Sequence, residues 1–197
     1  MDKNCKAGWK FVGESPTYEF VLDARGTVAR DHGWLLYGAL CAHVPIHGRS
    51  DTQVAPLTGR IDDDKIHASA IVVRAPLVMA PQVMALAGQR LMIGKDELIV
   101  GGARMTTIRP RVALASRLVY YHNAETEGDF WPLLESSIAD LGVTCEVTLG
   151  KRRVLRVKDN HLFGWSVKLT RLSPADSVKV KVRGMGSGRR FGCGVFA

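Results

Sequence analysis

The 197-residue chain lacks any run near the roughly 18 apolar residues that a membrane-spanning helix requires, which excludes a membrane bundle and leaves no membrane partner to expect. Its opening residues, MDKNCKAGWKFVGESP, hold no apolar stretch of the kind that directs secretion, so a cytoplasmic location is expected. Cys5, Cys41, Cys145 and Cys193 form no C-x-x-C pair, and in a cytoplasmic chain they read as reduced thiols. No two histidines stand at the spacing of H-E-x-x-H, so the sequence predicts no metal site and no cofactor. No Gly-Lys-Ser/Thr follows a glycine run, which excludes a nucleotide-binding P-loop. Aromatic residues make up 7% of the chain, few for a general single-strand binder that stacks bases on rings.

Positive charge is abundant, and it is segregated. The chain carries a formal net charge of +8. Its last 50 residues hold 12 basic and 2 acidic side chains, while the first 147 hold 15 basic and 17 acidic. A solubilising surface mixes signs, whereas a basic quarter against a near-neutral remainder points to a polyanion, nucleic acid above all.

Periodicity outlines two similar halves. Residues 17–24 alternate as a strand. Residues 32–44 space Leu36, Ala39, Leu40 and His43 as one helical face, with Asp31 as the expected N-cap and Pro45 as the stop. Strands are predicted near 55–61 and 66–74 around the turn Asp62-Asp63-Asp64, then a helix over 77–87 with Pro81 awkwardly inside it, then strands over 90–93 and 97–108. That order is the split βαβ, or ferredoxin-like, arrangement. The second half starts alike: a strand over 112–121, a helix over 128–141, and strands over 144–149, 152–158 and 161–171. Residues 177–183, SVKVKVR, alternate cleanly and read as a further strand, leaving no clear second helix. The expected fold is α+β, two tandem ferredoxin-like (RRM-like) domains over 1–108 and 109–197.

Three places carry candidate chemistry. The tail holds Gly184, Gly186, Gly188, Gly192 and Gly194 around Arg189 and Arg190. Such a segment presents backbone N–H groups and guanidinium forks to phosphates; the plainer reading is a tight hairpin that returns the chain to a sheet. Arg152, Arg153, Arg156 and Lys158 make a basic strand able to follow a phosphate backbone, or an edge strand protected by its charges. Phe191 is a stacking platform or, more simply, a core residue. Among the six histidines, His43 fits the buried helix face, and His67, His122 and His161 read as ordinary strand or surface residues. His32 in Arg30-Asp31-His32-Gly33 and His47 in Pro45-Ile46-His47-Gly48-Arg49 stand at the two ends of the first helix, where imidazole can serve as general acid or base near neutral pH.

Together these features resemble the CRISPR-associated endoribonucleases of the sixth Cas family, most of all its Myxococcus-type subgroup. The resemblance rests on Gly184-Met185-Gly186, five residues, then Gly192-Cys193-Gly194 near the end of the chain. It also rests on Arg30-Asp31-His32-Gly33-Trp34-Leu35-Leu36-Tyr37-Gly38-Ala39-Leu40 followed by Pro45-Ile46-His47-Gly48, and on the tandem layout. It implies cleavage of precursor CRISPR RNA within its repeats, without metal, by attack of a ribose 2′-OH that leaves a 2′,3′-cyclic phosphate and a 5′-OH. A histidine near the first helix would move the proton. His32 is the stronger expectation, because a helix start fixes its backbone and Gly33 leaves room for RNA; His47 is the alternative. The expected partners are a CRISPR repeat RNA, as a stem-loop bound by residues 151–158, and other Cas subunits of an effector complex. The rival reading is a non-catalytic RNA-binding subunit of such a complex.

Overall fold

The computed structural model describes residues 16–157 and 160–197 and shows a mixed α/β fold with two sheet-and-helix regions. The first region runs β1 (Thr17–Ala29), α1 (Gly33–Cys41), β2 (Gln53–Val54), β3 (Thr58–Asp62), β4 (Lys65–Pro76), a 3-10 turn (Leu77–Met79), α2 (Ala80–Met84), β5 (Arg90–Ile93) and β6 (Asp96–Thr107). Its antiparallel sheet has the order β2-β4-β1-β6-β5, with β3 also on β4. Phe20, Leu22 and Ala24 of β1 are buried and share a core with Leu36 and Leu40 of α1 and Val83 of α2. Each full burial of such a side chain contributes about 1.5–3 kcal/mol, so α1 is held by this face and not by its own propensity.

Several boundaries differ from expectation. β1 continues to Ala29 through an irregularity after Leu22. α1 stops at Cys41, so His43 is exposed and Val44 takes the buried place expected for it. Asp31 does not cap α1. His32 occupies the cap position, while Asp31 Oδ2 accepts the Arg156 N–H at 2.9 Å. The awkward Pro81 lies at the start of α2, where its missing N–H costs nothing.

The second region runs β7 (Leu114–Val119), α3 (Glu127–Asp140), β8 (Glu146–Val157), β9 (Asn160–Thr170) and α4 (Pro174–Arg183). Its sheet has the order β7-β9-β8. α3 begins with a reciprocal capping box between Thr126 and Asp129. The two strands expected over 144–149 and 152–158 are one strand, β8, with a bulge between Leu149 and Arg152.

The largest correction concerns residues 177–183, which are helix and not strand. The Val-Lys alternation is outweighed by the signals ahead of it. The Ser173 hydroxyl accepts the Asp176 N–H, Pro174 opens the first turn, and Lys181 and Arg183 sit where the helix dipole favours cations. Ser177, Val180 and Lys181 are buried together, a 3–4 spacing that only a helix puts on one face.

After α4 the tail returns to the second sheet. Ala197 and Ala115 exchange both backbone hydrogen bonds at 3.1 Å, and Gly194 N–H donates to Leu118 C=O at 2.7 Å, so the tail lies along the free edge of β7. Gly194 has φ +62° and a Cβ there would meet the Met185 carbonyl at 1.7 Å; Gly186 has φ +69° and abuts the Tyr120 carbonyl.

The two regions are locked together. Arg74, 2% exposed, meets Glu19 at 2.9 Å, and Lys181 of α4 reaches the same carboxylate at 3.3 Å. Arg74 also donates to Lys181 C=O, and Lys181 to Arg109 C=O. Leu118, Tyr120, Leu155, Phe191 and Cys193 of the second region complete the core of the first.

Candidate active site

The junction gathers the expected residues unequally. His32 is 3% exposed. Its Nδ1 lies 3.0 Å from Ala29 C=O and its Nε2 accepts the Leu57 N–H at 3.1 Å. Both ring nitrogens are therefore committed to backbone, which fixes the neutral tautomer with the proton on Nδ1. Burial holds its pKa below the usual histidine range, against the weaker opposing effect of the Ala29 carbonyl. The room expected beside it is also absent: a Cβ on Gly33 would meet the Phe191 carbonyl at 2.2 Å. His32 therefore stands in this structure as a buried histidine with both ring nitrogens bonded to backbone.

His47 stands differently. It is exposed on the loop that follows α1. The buried Tyr37 hydroxyl donates to Ile46 C=O at 3.4 Å and accepts the Gly48 N–H at 3.3 Å, so one side chain of α1 holds the peptide groups on both sides of His47. The Arg190 guanidinium lies 5.8 Å from the Tyr37 ring and 5.7 Å from that of Phe191. Next to His47 the loop borders an open concavity of about 340 Å³, lined by Gly48, Arg49, Ser50 and Thr52, by Gly186 to Phe191, and by Tyr120 and His122. Arg49 is paired with Asp51, while Arg190 is exposed at the rim. Such an opening offers an imidazole, guanidinium groups and turn N–H groups to a phosphodiester.

The tail glycines divide. Gly186 and Gly188 line the concavity, whereas Gly184, Gly192 and Gly194 are buried and serve the return of the chain. Burial of those three fits the hairpin reading of the tail. Phe191 is 6% exposed and packs edge-on against Trp34 at 5.8 Å, a core residue. Arg189 is half-buried and donates to Arg183 C=O; burial, together with the Arg183 charge, lowers its pKa.

On β8, Arg152 and Arg156 are exposed on one face beside Val154, while Arg153 points the other way. Arg152 lies 4.7 Å over the Phe163 ring, a stacking that flattens the guanidinium along the sheet. Arg153 is half-buried near Arg117, and its Nε is buried without a hydrogen-bond partner. Lys158 lies outside the described residues. Among the described residues, no group of three or more His, Cys, Asp or Glu side chains is placed to hold a metal ion, and no helix is long and apolar enough to cross a membrane.

His122, an ordinary strand or surface residue by its sequence, lines the concavity, and the site also draws on Tyr37. Tyr37 was legible only as a helix residue, and nothing local to it marks a hydroxyl that bridges the loop ten residues on.

The fold is thus a two-region α/β fold closed by a glycine-rich tail, with a basic strand and an opening beside a histidine-bearing loop. Comparison makes this specific. The family model described as Cas6 Crispr matches residues 18–197. A CRISPR-associated endonuclease Cas6 of Myxococcus xanthus (strain DK1622) is 30% identical over 175 residues, 87% of this chain and 76% of that protein. The fold is similar to that of an RAMP protein binding different RNA substrates, with TM-score 0.65 and 12% identity over 91% of this chain and 98% of the other. It is also similar to Thermus thermophilus Cse3 bound to an RNA that represents a pre-cleavage complex, with TM-score 0.51 and 13% identity over 92% and 98% of the two chains. The chain belongs to the Cas6 family of CRISPR endoribonucleases.

Proposed function

We propose that this Cas6-family endoribonuclease cuts precursor CRISPR RNA once within each repeat, with His47 as a proton-transfer group. The observation that carries the assignment is the contrast between the two histidines. His32 has both nitrogens bonded to backbone in the core, whereas His47 is exposed beside the concavity on a loop held by Tyr37. The ribose 2′-OH upstream of the scissile phosphate attacks in line. Its proton leaves as the O2′–P bond forms, and the 5′-oxygen takes up a proton as its bond to phosphorus breaks. Arg190 and the N–H groups of Gly186 and Gly188 serve the phosphate as its charge grows. The products are a 2′,3′-cyclic phosphate and a 5′-OH, and no ion is needed for any step.

The two sheet-and-helix regions are, in this reading, tandem ferredoxin-like domains over 1–108 and 109–197. The strand orders and the tail along β7 support it: in each region the first strand lies between the last one and the second of the central hairpin. Arg152 and Arg156 on β8, together with Lys158, bind the repeat stem-loop and position the cut. The enzyme works in the cytoplasm, and the cut RNA stays with it among the other Cas subunits of an effector complex. The test is cleavage of the repeat RNA in EDTA with mapping of both ends. A single cut with a cyclic phosphate supports the reading; cleavage that stops in EDTA and returns with magnesium refutes it. Binding without cleavage identifies instead a non-catalytic subunit.

A further inference from the structure

In-line transfer from a 2′-OH to phosphorus requires two proton movements on opposite sides of the phosphate, one at each apical oxygen. His47 accounts for one. The lining of the concavity beside His47 includes a second exposed histidine, His122. His122 follows β7, and Asn123 after it takes φ +63°, turning the chain away toward α3. The His122 ring stands edge-on to Tyr120, with centroids 5.5 Å apart, and the Tyr120 carbonyl accepts the Ser187 N–H at 2.9 Å. The segment that bears His122 is thereby tied to the glycine-rich turn, and the loop that bears His47 is tied to α1 through Tyr37. Arg49, Arg189 and Arg190 also line this concavity.

We propose that His122 is the second proton-transfer group of this site, paired with His47, whose neighbour Gly48 lines the same concavity; the proposal rests on the assignment of His47 above. One neutral imidazole takes the proton from the 2′-OH as the O2′–P bond forms. One imidazolium gives its proton to the 5′-oxygen as the P–O5′ bond breaks. The two rings end with exchanged protonation states and reset with water, so the reaction consumes no co-reactant. Each half of the molecule thus contributes one ring, and cleavage requires the two regions to be locked as they are by Glu19, Arg74 and Lys181.

The test is single-turnover cleavage by the full chain carrying His47→Asn or His122→Asn. Two repeat RNAs are compared, the natural one and one with sulfur in place of the bridging 5′-oxygen at the cut. A thiolate leaves without a proton, so a variant that lacks the acid recovers on the sulfur substrate and a variant that lacks the base does not. Affinity is measured on an RNA with a 2′-deoxy at the cut, and thermal unfolding checks the fold. The expected result is a loss of about 100-fold or more in each variant on the natural RNA, affinity within about 3-fold of wild type, and recovery of one variant only by sulfur. A slow His47→Asn beside a His122→Asn within about 3-fold of wild type overturns this pairing alone, as does recovery of neither. A His47→Asn that cuts normally overturns the assignment of His47 itself.

Discussion

Replacing His32 with alanine separates an architectural histidine from a catalytic one. The imidazole bridges Ala29 C=O and Leu57 N–H inside the core. Its loss orphans one buried acceptor and one buried donor, each worth about 1–3 kcal/mol, so the expected cost is about 2–6 kcal/mol out of a total stability of about 5–15 kcal/mol. For a chain of this size, each kcal/mol moves Tm by about 2–4 °C, which places the fall near 10 °C. Cleavage by the protein that remains folded, read at low temperature under single turnover, should stay within about 3-fold of wild type. A second arm uses pH. Burial lowers the pKa of His32 in the folded state from the ordinary 6.5. The unfolded chain therefore takes up the proton first, so the stability this residue contributes is complete above pH 6.5 and is lost as pH falls below it, with a slope of at most about 1.4 kcal/mol per pH unit. His32→Gln should flatten the pH dependence of Tm between about pH 6.5 and 5. An unchanged Tm in His32→Ala together with a 100-fold slower cut would refute the reasoning.

Three further outcomes follow from the same geometry. Tyr37→Phe keeps the ring and removes the hydroxyl that holds the His47 loop; single-turnover cleavage should slow by about 10-fold with RNA affinity unchanged, and equal rates would show that the loop is held otherwise. Arg152→Ala and Arg156→Ala should each flatten the salt dependence of RNA binding by about 0.7–0.9 in log–log slope, whereas Arg153→Ala, with its half-buried guanidinium, should lower Tm more than it changes that slope. Glu19→Gln leaves Arg74 and Lys181 facing each other without the carboxylate, and denaturant unfolding should register a loss of about 3–5 kcal/mol.

Much of this was legible in the sequence because the relevant signals are local. The glycine spacing of the tail, the Asp62–Asp64 hairpin turn and the periodic face of α3 each lie within a few residues of what they determine. The glycine-rich tail offered two readings, a phosphate cradle and a terminal hairpin, and spacing alone leaves both open. α4 was misread because Val178, Val180 and Val182 satisfy a period of two. The deciding signals were the Ser173 cap and Pro174, and those compete with alternation on equal terms in a segment this short. His32 ranks above His47 in the sequence because its helix start is visible there, whereas the Leu57 N–H that occupies its ring is 25 residues away and only the folded chain brings it there. Arg153 was grouped with Arg152 and Arg156 by charge alone, although a strand sends neighbouring side chains to opposite faces.

The most direct measurement is the single-turnover rate of repeat-RNA cleavage by His47→Ala beside wild type, with affinity taken on RNA bearing a 2′-deoxy at the cut. The account predicts a rate lower by about 10²–10⁴-fold at unchanged affinity and unchanged Tm. A His47→Ala protein that cuts within a few-fold of wild type would contradict it.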